Sequence, residues 1–197
     1  MMKRYILPCL LVCSTLLLQA CAPVIVGGAV VTGISVVHDR RTAGQVLDDK
    51  IITSAVKSEL RKTLSDDRRI KVAVYNGVVL LAGQVVNPED RIVAEDAAAI
   101  KDGVLKVVNE LKVAEDIPGL GSRTEDRYIS SKAKSSLFNV KIKGFDPTRV
   151  NVTTVDNEVY LMGLVTREEA DAVVEKIRNL RGVLKVIKVF EYVSDFE

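Results

Sequence analysis

The sequence predicts an α+β protein built from two tandem copies of one small domain. Each copy should run helix–strand–strand–helix–strand, with a three-stranded mixed sheet covered by two helices on one face. Three observations predict it: ordered blocks recur at a nearly constant offset, the apolar period changes within each copy, and turn and capping residues stand where it changes. Asp48-Asp49-Lys50-Ile51-Ile52-Thr53-Ser54 matches Glu125-Asp126-Arg127-Tyr128-Ile129-Ser130-Ser131 at an offset of 77. Ile70-Lys71-Val72 through Leu81-Ala82-Gly83 matches Val150-Asn151-Val152 through Leu161-Met162-Gly163 at 80. Gly103-Val104-Leu105-Lys106-Val107-Val108 matches Gly182-Val183-Leu184-Lys185-Val186-Ile187 at 79. The second copy gains three residues before its first strand, around Lys143-Gly144-Phe145. The copies are placed at residues 45–115 and 116–197.

Residues 1–20 precede the fold. Lys3 and Arg4 open a positive region, and the apolar run at residues 5–18 is shorter than the ~20 residues a membrane span needs, so it reads as a signal peptide. Leu18-Gln19-Ala20-Cys21 resembles a bacterial lipobox. That resemblance implies that Cys21 is diacylated on its thiol and becomes the mature N-terminus, and Ala22 after it implies sorting to the outer membrane. Two or more acyl chains anchor stably where one is marginal. Residues 21–44 are then a lipidated tether. Its stretch 22–37 is apolar and Gly-rich, reading as flexible chain near the bilayer or as a buried strand pair, and His38-Asp39-Arg40-Arg41 marks the exit into a polar linker.

Composition narrows the function. Cys9 and Cys13 leave with the signal peptide, and an acylated Cys21 leaves no thiol for a disulfide, metal or nucleophile. Removing Lys3 and Arg4 takes the 28 basic residues to 26, equal to the 26 acids, so the mature chain is formally neutral and carries no general polyanion affinity. Nucleic acid is not an expected partner. The single histidine, His38, lies in the tether, and there is no nucleotide-binding loop or metal-ligand spacing. Paired acids such as Asp48-Asp49, Asp66-Asp67 and Glu168-Glu169 read as capping and turn residues. The residues therefore point to a binding protein without cofactors rather than an enzyme.

Each copy reads alike. Ile52, Val56 and Leu60 lie along one helix face, as do Ile129, Ala133 and Leu137. Ile70, Val72 and Val74 alternate before Asn76-Gly77, and Val79 and Leu81 continue after it, a strong hairpin signal. Asp156-Asn157 serves the second hairpin, since both residues tolerate positive φ. Pro88-Glu89-Asp90 starts one second helix, with acids at the positive dipole end. Thr166-x-x-Glu169, a capping box, starts the other. Ile92, Val93 and Ala97, with Val173, Val174 and Ile177, are the expected buried stripes, and Gly103 and Gly182 the expected C′ residues. The strand–helix–strand crossover makes the last strand parallel to the second. Val78, Leu80, Tyr160 and Met162 then point to the open sheet faces, where packing between the domains would cover them.

The lipobox, the Gly-rich tether, Ile117-Pro118-Gly119-Leu120-Gly121 and Val159-Tyr160-Leu161-Met162-Gly163-Leu164-Val165-Thr166 carry a resemblance over essentially the whole chain. The chain resembles the dual BON-domain lipoproteins. This implies an outer-membrane lipoprotein facing the periplasm that supports envelope integrity. It implies recognition of anionic phospholipid by the second domain, and association with division sites and outer-membrane protein assembly machinery. The family's lipid surface maps to Gly121, Tyr128, Ile129, Ala133, Lys134 and Phe138. Tyr128 stands where the family has Trp and also suits the headgroup level. Lys134 replaces Arg, keeping the charge without the bidentate fork.

The local charge leans the same way. Residues 122–149 carry seven basic residues and three acids, a net of +4, whereas residues 45–69 carry six and five, a net of +1. Phe138 and Phe145 are candidates for insertion. Other readings stand beside these. Tyr128 aligns with Ile51 and fits a core position, Ile129 and Ala133 fit the core stripe, and a basic run fits a solvated face. The rival function is a protein-interaction adaptor for an outer-membrane assembly or cell-wall partner, and a mechanical spacer is third. A monomer is expected.

Overall fold

The computed structural model describes residues 25–26, 29–30, 39–64, 69–114 and 120–194. The signal peptide, Cys21 and His38 lie outside the described residues. The chain divides into two units, residues 1–35 and 36–197. In the first, β1 (Ile25–Val26) pairs antiparallel with β2 (Ala29–Val30). A short strand pair is thus seen within the tether.

The second unit holds both copies. Helix α1 (Ala43–Thr63) begins where Thr42 caps it. The Thr42 hydroxyl accepts from the Gln45 N–H at 3.2 Å, and the Gln45 side chain accepts from the Thr42 N–H at 2.8 Å. β3 (Ile70–Tyr75), β4 (Val78–Val85), α2 (Pro88–Ala99) and β5 (Lys106–Val113) complete the first copy. The second copy has α3 (Leu120–Leu137), a 3-10 turn at Pro147–Arg149, β6 (Val150–Val155), β7 (Glu158–Val165), α4 (Arg167–Arg178) and β8 (Lys185–Tyr192). Both sheets place the middle strand in the centre, antiparallel to the first and parallel to the last. This is the expected mixed topology. Both hairpins turn through left-handed residues, Asn76 and Gly77 in one and Asp156 and Asn157 in the other.

Gly83 and Gly163 are required by close backbone approach. They pair with Ile70 and Val150, and a Cβ would stand 1.9 Å from the Arg69 carbonyl oxygen or 2.5 Å from that of Arg149. At Gly83 the φ of +137° adds a backbone conformation that side chains rarely adopt.

Three expectations need correction. On α2 the buried residues are Ala94, Ala97 and Ala98, while Ile92 is exposed and Val93 is on the outer face. Alanine suits either side of a helix, so large residues biased the reading of the face. On α4, Ala170 joins Val173 and Ile177 in the core, with Val174 packed at its margin. Gly103 and Gly182 are not C′ residues. The helices end at Ala99 and Arg178, and these glycines turn the chain four residues later with φ of +82° and +95°. Ile52 and Ile129 pack against them, at 3.1 and 3.3 Å from where a Cβ would be.

The third correction concerns the acids. Asp49 does not cap a helix; it is buried within α1 and accepts from the N–H groups of Asn76 at 2.7 Å and Gly77 at 2.8 Å. Asp126 in α3 accepts from the Asn157 N–H at 3.0 Å. Each acid ties the first helix of its domain to the hairpin turn, where unpaired buried donors would be costly.

The open sheet faces pack on each other. Ala73, Tyr75, Leu80 and Ala82 of the first domain meet Val155, Tyr160 and Met162 of the second, with Val78 at the margin. A sheet apolar on both faces needs this cover. Burying each large side chain contributes roughly 1.5–3 kcal/mol relative to leaving it exposed. Polar contacts rim the interface: Arg69 to Asp156 at 3.0 Å, Gln84 to Asp156 at 2.9 Å, Lys112 to Glu158 at 2.7 Å and Asn76 to Glu191 at 2.9 Å. The end of the tether straps the pair. Arg41 bonds Asp49 at 2.7 Å and stacks 3.6 Å over the Tyr75 ring, while Arg40 reaches Glu169 at 2.6 Å.

Candidate functional site

Helix α3 has two faces. Asp126, Ile129, Ala133 and Leu137 point inward and are at most 1% exposed. Thr124, Arg127, Tyr128, Ser131, Lys134 and Ser135 are exposed, followed by Phe138 just beyond the helix. These positions recur every three or four residues and form one stripe. Tyr128 is 63% and Phe138 73% exposed, so two aromatic rings alternate with the Arg127 and Lys134 cations along the stripe. Lys132 holds its ammonium 5.8 Å from the Tyr128 ring. Small serines between them leave the aromatic rings and long cations standing proud.

Of the six residues proposed for lipid contact, Tyr128, Lys134 and Phe138 share this stripe, and Gly121 lies in the first turn of α3. Ile129 and Ala133 do not belong to a contact surface: they are 1% and 0% exposed and fill the second domain's core. Phe145 is likewise packed against that core rather than available for insertion. Tyr128 is not a core residue, and neither is its counterpart Ile51, which is 58% exposed.

Two features escaped the sequence reading. Leu105 and Leu184 are 77% and 78% exposed at the entry to the last strands, where their N–H groups donate to the Gly77 and Asn157 carbonyls at 2.9 Å. Their shared place in the third repeated block was the available signal. In the first domain, Leu105 and Ile51 line a groove of about 430 Å³ with Asp48, Asp102, Gln45 and Asn76.

The buried acids are structural. Burial works to raise the Glu169 pKa, but hydrogen bonds from Arg40 and the Thr166 N–H, with the charges of Arg40 and Arg149, hold it below its ordinary 4.5. Burial opposes ionisation of Asp39 too, yet Arg41 outweighs it and lowers the value. Burial pushes Tyr75 up to about 12. Among the described residues, no group of three or more His, Cys, Asp or Glu residues is placed to hold a metal. No described helix is long and apolar enough to cross a membrane.

The BON-domain family model matches residues 48–115 and again residues 125–194. The chain is 40% identical over 159 residues to a protein named 21 kDa hemolysin from Actinobacillus pleuropneumoniae, covering 79% of this chain and 80% of that one. It is 34% identical over 184 residues to the outer membrane lipoprotein DolP of Haemophilus influenzae, covering 92% and 93%. Among solved structures, the C-terminal domain of the Chlamydia trachomatis type III secretion protein CdsD aligns at 13% identity and a TM-score of 0.28, covering 72% of this chain and 96% of that one, too loosely to carry an argument. With the family model matched twice along the chain, this chain is a member of the BON-domain family.

Proposed function

We propose that this chain is a non-enzymatic lipoprotein of the outer membrane, acylated at Cys21 and facing the periplasm, whose second domain binds anionic phospholipid. In this reading it supports envelope integrity, with links to division sites and outer-membrane protein assembly. The observation that carries the lipid reading is the α3 stripe, where exposed Tyr128 and Phe138 alternate with Arg127 and Lys134. Rings at headgroup depth and cations over an anionic surface act together.

The test uses the chain from Ala22 onward, which keeps the Arg40 and Arg41 contacts. Backbone amides are followed by NMR while anionic or zwitterionic micelles are added. Shifts are expected along residues 121–138, with anionic lipid alone. Lys134→Glu changes the surface by two charges, about 1 kcal/mol each, so affinity should fall roughly thirtyfold with the fold intact. Tyr128→Ala should also weaken it. Unchanged binding in both variants would remove the stripe from the proposal.

The adaptor reading has its own observation. Leu47, Ile51 and Leu105 are all more than half exposed on the first domain, beside the acid-rimmed groove. A co-purifying partner lost on Ile51→Ser, without change in lipid binding, would favour it.

A further inference from the structure

We infer that the groove on the first domain docks a protein segment carrying a lysine or arginine beside an aliphatic side chain. The inference rests on the adaptor reading and gives the partner's chemistry. The groove, about 430 Å³, is lined by Ile51 of α1 and by Leu105 at the entry to β5, both more than half exposed. Its lining also holds three acids and no lysine or arginine. One of the acids, Asp49, is already engaged by Arg41 and by the Asn76 and Gly77 N–H groups. Asp48 and Asp102 are exposed, and among the described residues no cation and no hydrogen-bond donor is paired with either carboxylate. Lys50 and Lys106 are adjacent in sequence to Ile51 and Leu105 but do not line the groove. Two unneutralised negative charges thus stand beside exposed apolar surface.

Charge and hydrogen bonding select this occupant. The two free carboxylates repel an anionic membrane surface, so the exposed Ile51 and Leu105 are not a lipid contact of the α3 kind. A cation set against them gains attraction, most where apolar contact around it excludes water. No group of three or more metal-ligating side chains is placed among the described residues, so the cation is one carried on a ligand. The backbone of the turn is already used: Asp49 takes the Asn76 and Gly77 N–H groups, and the Gly77 carbonyl accepts from the Leu105 N–H at 2.9 Å. A docked segment therefore meets side chains rather than adding a strand. A purely apolar segment would bury the acids unpaired, and a purely basic one would leave Ile51 and Leu105 in water. The volume lies within the ~300–1,000 Å³ of ordinary ligand sites, which suits a few side chains of a loop. The second domain differs at this place, with Arg181 and Tyr128 where the first has Asp102 and Ile51.

The experiment titrates the chain from Ala22 onward with three acetylated, amidated hexapeptides at constant ionic strength, following backbone amides by NMR. The first is Gly-Lys-Leu-Lys-Leu-Gly, the second has glutamate for lysine, and the third has serine for leucine. Saturable shifts at residues 45–52, 76–77 and 102–105 are expected with the first peptide alone. Asp102→Arg gives the first domain the second domain's residue and turns an attraction into a repulsion, so that binding should weaken about tenfold. Ile51→Ser should weaken it severalfold. Both side chains are exposed, and the melting temperature of each variant checks the fold. Equal binding of the glutamate or the serine peptide overturns the inference, as does the absence of saturable shifts at the groove. The adaptor reading is judged separately. A co-purifying partner that Ile51→Ser releases but Asp102→Arg retains leaves the adaptor standing and overturns a basic partner. A partner lost in both variants, with lipid binding unchanged, supports the inference.

Discussion

Helices α1 and α3 occupy matching places in the two domains, yet their outward faces carry different chemistry. Positions occupied by Arg127, Tyr128, Ser131, Lys134 and Phe138 in α3 are Lys50, Ile51, Ser54, Lys57 and Arg61 in α1. Both faces are basic and partly apolar. Only α3 carries aromatic rings on this face, Tyr128 within the helix and Phe138 just past it, while α1 borders a groove lined by Ile51, Leu105, Asp48 and Asp102. The inward faces have instead kept their devices. Asp49 and Asp126 hold the hairpin turns, and Gly83 and Gly163 admit a neighbouring carbonyl. The second helices differ inside as well, with Ala94 and Ala98 of the first domain standing where the second has Val173 and Ile177. Duplication thus preserved whatever the backbone needs and released what the solvent sees. The function is to be sought where the copies part.

The sharpest test of that shared backbone is Gly83→Ala against Gly163→Ala. At Gly83 the new Cβ meets the Arg69 oxygen at 1.9 Å with a positive φ, so a loss above about 4 kcal/mol is expected by urea denaturation. Gly163→Ala should cost less, about 2–3 kcal/mol, because its clash is 2.5 Å and its φ is not in that region. Equal, small losses would mean that the strands yield easily.

Asp49→Ala against Asp126→Ala asks whether the two clamps are equivalent. Asp49 satisfies two turn N–H groups and pairs with Arg41, so about 3 kcal/mol should be lost. Asp126 satisfies one turn N–H and pairs at 3.5 Å with Lys71, which suggests about 2 kcal/mol. A reversal of this order would show that the contact between domains outweighs the turn.

The smallest expected effect is on pH dependence. Glu169 has a lowered pKa in the fold, so its contribution is complete above its ordinary 4.5 and is lost as pH falls through the depressed folded value. At the matching position of the first domain, the Asp90 carboxylate accepts from the Asn87 side chain at 3.2 Å and has no arginine pair like those of Glu169 among the described residues. Glu169→Gln should therefore flatten part of the acid limb of a melting-temperature profile. Asp39, Glu59 and Glu158, also lowered, contribute acid sensitivity of the same sign.

Legibility followed distance along the chain. The hairpin turns, the Thr166–Glu169 box and the inward stripes of α1 and α3 depend on neighbours within a few residues, and all were read correctly. The buried face of α2 was misread because its core residues are alanines. Asp49 was misread because its partners lie 27 and 28 residues away. Ile129 and Ala133 entered the candidate site by family position although their own periodicity placed them in the core.

By itself the sequence determined the repeat, the order of elements, the turns and the inward stripes of α1 and α3, since each is written in local period and spacing, whereas the outward place of Tyr128 was decided by the structure. Tertiary structure alone decided the rest. Packing one open sheet face on the other buries Tyr160 and Met162, lays the Arg40–Arg41 strap across both domains, and draws Arg69 and Lys71 toward Arg123 and Arg127. The physical reason is that these contacts join residues separated by fifty to more than a hundred positions, and no local period records which distant face will exclude water from another.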